Sequence, residues 1–144
     1  MAFRFREHEA DMGIVGEGSD TEEAFQEAGK ALFHIMVDIA GVRDREKVTF
    51  EITSESIEKL FINYLNELLF LKDSKEMFFS TFFVNIHKHN VEGLPRYRLK
   101  AKVFGEKIDV QRHFIKTEVK AATYSGLKVY DLGGKTFAEC VVDV

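Results

Sequence analysis

GLKVYDLGGKTFAECVVDV, residues 126–144, decides the fold. Two runs rich in β-branched and aromatic residues flank Gly133-Gly134, a pair suited to the positive φ angles of a tight turn. This pattern predicts a β-hairpin whose second strand ends in valines. Upstream, YRLKAKVFGEK (97–107) alternates strictly. Tyr97, Leu99, Ala101 and Val103 point to one side and Arg98, Lys100 and Lys102 to the other, which is the period of a half-buried strand. FFSTFFVNIHKH (78–89) puts Phe82, Val84 and Ile86 on one face, and HNVEGLPR (89–96) is expected to join the two as a wide hairpin loop. VTFEIT (48–53) adds a further alternating strand.

The pattern changes to helical spacing twice. Ser19 and Glu22 fit a capping box, and Ala24, Phe25, Ala28, Leu32, Ile35 and Met36 follow at i, i+3, i+4 spacing, with Gly41 as the expected stop. Ile57, Leu60, Phe61, Tyr64, Leu65, Leu68 and Leu69 form a second, broader stripe, which suggests a central helix, with KDSKEM (72–77) as the turn after it. Phe3 and Phe5 alternate with Arg4 and Arg6 in a short first strand, and GIVGEG (13–18) reads as a second strand or a glycine-loosened edge. Two helices among six or seven mostly hairpin-linked strands imply an α+β, two-layer sandwich. A mostly antiparallel or mixed sheet packs against two main helices. Strand order does not follow from these patterns.

The 144 residues suggest a single domain over 1–144. Apolar residues make up 45%, fourteen of them Phe, which argues against disorder. A net charge of −4 disfavours polyanion binding by the whole molecule, so nucleic acid would need a local basic patch. The lone Cys140 forms no internal disulfide and belongs to no zinc knuckle, and a reduced, cytoplasmic setting is the simplest reading. The N-terminal residues lack the apolar core of a signal peptide, and no apolar run is long enough for a membrane span.

Familiar catalytic motifs are missing. The spacing of Gly13, Gly16 and Gly18 is not that of a dinucleotide loop, no Walker-type lysine follows, and neither a nucleophile elbow nor H-E-x-x-H occurs. Cys140, in an apolar run, reads as inert core. His87 and His89 share a strand face, where a solvated surface is a better reading than a metal pair. His34 reads as a helix-surface or capping group, and His113 has no evident role. The row Arg98, Lys100, Lys102, extended by Arg96, suits either phosphates or a solvated face that resists edge pairing, with the second favoured.

The acids of EHEADMGI (7–14) are the least explained feature. Asp11 precedes Gly13 in a break between apolar segments, and Asp143 lies among Val141, Val142 and Val144. A buried carboxylate needs a partner, a proton or a cation. If Asp11 approaches Asp143 and the α-carboxylate of Val144, three carboxylates meet, a set suited to a hard divalent ion of the Ca²⁺ or Mg²⁺/Mn²⁺ class. Pattern alone favours the plainer reading, in which the last residues fray and Asp143 is solvated.

EHEADMGIVGEG, EEAFQEAGKALFHIMVD, LFINYLNELLFL, KAKVFGEKID, TEVKAATYSGLKV and the final VVDV together resemble, in order, the archease family. The resemblance spans nearly the whole chain. The H-x-A-D-x-G block and TEVKAATYSGLKV carry it most specifically. It implies a cytoplasmic protein cofactor, not itself an enzyme, that activates an RtcB-type RNA ligase in tRNA splicing and tRNA processing. Archeases promote GTP-dependent guanylylation of that ligase and its multiple turnover. RNA would be met through the ligase, and no DNA or membrane is expected. The resemblance assigns metal binding to Asp11, Asp143 and Val144 and ligase activation to Lys120; His8 is a candidate supporting group, and Glu9 either adds an oxygen or sits outside the site, with the second favoured. Glu9 departs from the family's usual Thr. Two other classes compete: a stand-alone metal-dependent phosphohydrolase, and a chaperone or RNA-binding module resting on the Arg98–Lys102 stripe.

Overall fold

The computed structural model describes residues 2–8 and 11–144, with side chains for 2–4 and 11–144. Strands β1 (Ala2–His8) and β2 (Asp11–Gly18) lead into helix α1 (Thr21–Met36) and a short 3-10 turn (Ile39–Gly41). Strand β3 (Glu46–Ser54), helix α2 (Ile57–Lys75), and strands β4 (Met77–Val91) and β5 (Leu94–Lys107) follow. Strands β6 (Ala121–Ala122), β7 (Lys128–Leu132) and β8 (Lys135–Asp143) complete the order.

The class is α+β, with the strands divided between two sheets. One runs β1-β2-β8-β6, with β7 also on β8, and the other runs β3-β5-β4. Every pairing between these strands is antiparallel. Both helices touch both sheets, and one continuous core joins Phe25, Phe33, Phe61 and Tyr64 of the helices to strand residues of either sheet. Phe25 lies 4.9 Å from Phe61, and Phe33 lies 5.5 Å from Phe79, between ring centroids. Each such buried side chain contributes about 1.5–3 kcal/mol, which outweighs the weak intrinsic preference of the strands and helices.

Several boundaries differ from the sequence reading. Asp20, one residue beyond Ser19, caps α1, accepting the Glu23 N–H at 2.8 Å, while the Glu23 carboxylate accepts the Ser19 N–H. Glu22 instead reaches the free edge of β4, where it accepts the Ile86 N–H at 2.8 Å. Helix α1 ends at Met36, because Val37 turns to extended backbone, so Gly41 closes only the 3-10 turn. Residues 72–75 continue α2, and Glu76 ends it in the left-handed region. The expected wide loop after β4 is a two-residue turn, Glu92-Gly93, with both φ angles positive as a type I′ turn requires. The β7–β8 hairpin forms around Gly133-Gly134 as the alternation predicts.

Candidate metal centre

Strand β8 is the centre of the first sheet, with β2 on one side and β6 and β7 on the other. The register draws a row across it: His8 opposite Asp11, Asp11 opposite Asp143, and Asp143 opposite Ala121. Directly opposed residues in antiparallel strands hold their Cβ atoms about 4.5–5.5 Å apart, and like charges there are destabilising. Asp11 and Asp143 are both half-buried, and neither carboxylate has a hydrogen-bond or ion-pair partner among the described residues. Two partly desolvated carboxylates side by side, without a cationic partner among the described side chains, form an oxygen set that fits a hard divalent ion.

The far side of Asp143 is held as firmly. Its carbonyl accepts the Lys120 N–H at 2.8 Å, which ties the backbone of the TEVKA segment to the row while the Lys120 side chain stays exposed. Asn66 of α2 clamps the two-residue strand β6, accepting the Ala122 N–H at 2.9 Å and donating to the Ala122 carbonyl at 3.2 Å. Thr123 adds a backbone and a hydroxyl bond to the Val141 carbonyl. Val144 is half-buried and packs on the core. A frayed, solvated Asp143 is therefore not what the chain adopts, because ladders on both sides fix it.

The resemblance-based residues come together in part. Asp11, Asp143 and the backbone of Lys120 meet, and His8 occupies the neighbouring register position. Glu9 lies outside the described residues. Among the described residues no group of three or more His, Cys, Asp or Glu side chains gathers, so the described side chains supply two carboxylates and a third donor has to come from elsewhere.

Other sequence candidates resolve differently. Cys140 is buried, and burial together with Glu139 pushes its thiol up to about 12, which leaves it unreactive. His87 is exposed on its strand, as a solvated face requires, and the His34 Nδ1 accepts the Ile39 N–H at 3.4 Å just beyond α1. His113 has a role that the sequence did not reveal. Its Nδ1 accepts the Asp109 N–H at 2.9 Å, so in the neutral ring Nε2 carries the proton and donates to Glu106 at 2.8 Å. Arg112 pairs with the same carboxylate, and the Arg43 N–H reaches it at 2.9 Å. The only available signal was a Glu followed by Arg-His across a turn, which many solvated loops share.

The model of the archease protein family matches residues 3–144. The chain belongs to the archease family. It is 40% identical over 139 residues to protein archease of Pyrococcus abyssi, covering 96% of this chain and 95% of that one. Against protein archease of Sulfurisphaera tokodaii it is 37% identical over 142 residues, covering 99% and 98%. A solution structure of a Methanobacterium thermoautotrophicum protein has the same fold, with a TM-score of 0.81 and 31% identity over 99% of this chain and 98% of that one. Among the described residues, no helix of this archease-family chain is long and apolar enough to cross a membrane.

Proposed function

We propose that this chain is a metal-binding protein cofactor that activates an RtcB-type RNA ligase, promoting its GTP-dependent guanylylation and repeated turnover. The observation that carries the reading is the row in which Asp11 faces Asp143 with no ion-pair partner among the described residues, with Lys120 bonded through its backbone to Asp143. Family membership supports a protein-cofactor role in RNA processing, and the relatives' shared name, protein archease, denotes a protein and no reaction.

Asp11 and Asp143 would hold a divalent ion of the Ca²⁺ or Mg²⁺/Mn²⁺ class, with Val144 as the third contributor and His8 at the next register position. Bound there, the ion supplies a concentrated positive charge able to orient an anionic group. The chain's own residues do the rest. The β2–β8 ladder fixes the spacing of the two carboxylates, and the exposed Lys120 offers a second positive group to the ligase. A cofactor that binds the guanylylation-competent ligase conformation more tightly than its alternatives shifts the ligase toward it.

The test is a guanylylation time course with purified ligase, GTP and Mn²⁺. Wild type should accelerate the reaction, while Asp11→Asn, Asp143→Asn and Lys120→Ala should leave it near the rate without cofactor. Full activation by both aspartate variants would remove the carboxylate pair from the function.

A further inference from the structure

The second sheet presents an open face of opposite character. Its central strand, β5, points Arg96, Arg98, Lys100 and Lys102 outward, and Lys47 joins them from β3. All five are exposed, in a molecule whose net charge is −4. Within the three strands two acids share the row pattern: Glu51, which stands opposite Lys100 and pairs with Arg98 at 3.1 Å, and Glu106 at the end of β5, which is buried and taken up by Arg112 and His113. Arg96 meets Glu55 at 3.7 Å. Lys47, Lys100 and Lys102 have no acid within ion-pair distance among the described residues.

Aromatic surface lies among these cations. Phe83 of β4 stands opposite Lys102 and is 53% exposed, and Phe104 follows Lys102 outward on β5. Their rings meet edge to face at 6.0 Å. An exposed Phe on a sheet face costs solvation and, in this position, adds nothing to the core. Thr49 and Asn85, both exposed, flank Lys102 and Lys100 from the two outer strands. A groove of about 640 Å³ runs over this part of the face.

We propose that this face binds single-stranded RNA, independently of the carboxylate row on the other sheet. A row of unpaired lysines answers a phosphate backbone. The exposed Phe83 ring, set against the half-buried Phe104, offers a stacking surface to unstacked bases, whereas a duplex keeps its bases covered. The face from Arg96 to Phe104 is about 27 Å long at the usual rise per strand residue, room for several nucleotides. The threonine and asparagine groups beside the lysines can hydrogen-bond a ribose 2′-hydroxyl, which DNA lacks.

The experiment uses the intact protein without ligase, in chelator, with a fluorescently labelled oligoribonucleotide of about 10 nucleotides, within the range of single-strand sites. Wild type should bind it with an affinity that falls steeply with salt. Lys100→Gln/Lys102→Gln should reduce the log–log salt slope by about 1.4, since each single-strand phosphate contact contributes about 0.7. Phe83→Ala should weaken binding about tenfold with the slope unchanged, and Phe83→Tyr should restore it. These positions are exposed, and unchanged melting temperatures would show that the variants fold. No RNA binding, or variants that bind like wild type, would overturn the proposal. Displacement of the RNA by polyglutamate at equal charge would assign the face to an acidic protein instead. Equal binding of DNA of the same sequence would overturn the RNA assignment.

Discussion

At the scale of single residues, Glu106 is the most constrained ionisable group. It is 5% exposed and holds Arg112, His113 and the Arg43 N–H around one carboxylate. Burial pushes its pKa up, but the Arg112 hydrogen bond, the Arg43 N–H and His113 together pull harder and leave it at about 2, against an ordinary 4.5. The folded value lies below the unfolded one. The carboxylate's contribution is thus complete above about pH 4.5 and is lost as pH falls toward 2. Arg45, at 3.5 Å but largely exposed, adds little. Glu106→Gln keeps the shape and removes the charge, and should cost about 2 kcal/mol at neutral pH. Urea unfolding between pH 4.5 and 2.5 should then show a shallower loss of stability in the variant than in wild type. Parallel pH curves for the two proteins would contradict this reading of the cluster.

At the scale of elements, helix α1 can lie on β2 only because Gly16 has no side chain. A Cβ there would stand 2.1 Å from the Ala24 carbonyl oxygen and 2.5 Å from the Ala28 nitrogen. Gly16→Ala must therefore lift the helix or bend the strand, and should cost about 3 kcal/mol, at the upper end for overpacking. Gly41→Ala, where nothing lies within 4 Å, should stay within about 0.5 kcal/mol of wild type. Denaturant midpoints for the two variants would check the contrast, and equal midpoints would remove Gly16 as a spacer. The sequence shows the glycines of GIVGEG but not what approaches them, and so leaves open a strand or a loosened edge, of which the strand forms. Periodicity identifies both helices and the long strands because core burial imposes it along each element. It does not reveal how strands divide between sheets, since β2–β8 pairing is set by contacts over 118 to 132 positions of the chain. Two-residue β6 is too short for any period and exists through Asn66 and β8. Ser80 is an extra residue opposite β5, so the inward row steps from Phe79 to Phe82 and breaks the alternation, while Phe78, on the other face, is buried against His113 at 5.4 Å between ring centroids.

For the molecule as a whole, the two sheets carry opposite assignments: a carboxylate pair on one and a cationic face on the other. The residue pattern raised the pair but favoured a frayed end, and the family resemblance was what selected it, because Asp11 and Asp143 are ordinary acids until β2 and β8 align them. That alignment makes a thermodynamic prediction separate from any ligase assay. Without metal, opposed carboxylates repel, so Asp143→Asn should be neutral or should stabilise the protein by about 0.5 kcal/mol. With a divalent ion at about 100 times its dissociation constant, the wild type should gain about 2.7 kcal/mol by mass action. That corresponds to a rise of about 5–10 °C in melting temperature for a chain of this size, and the variant should gain little. The order of stability should therefore reverse between chelator and Ca²⁺, or Mn²⁺ if the site selects the smaller ion. Calorimetric melting of both proteins in each buffer reads this directly. A metal-induced shift of the same size in wild type and Asp143→Asn would mean that the ion binds elsewhere. The β2–β8 row would then be a pair of tolerated surface acids.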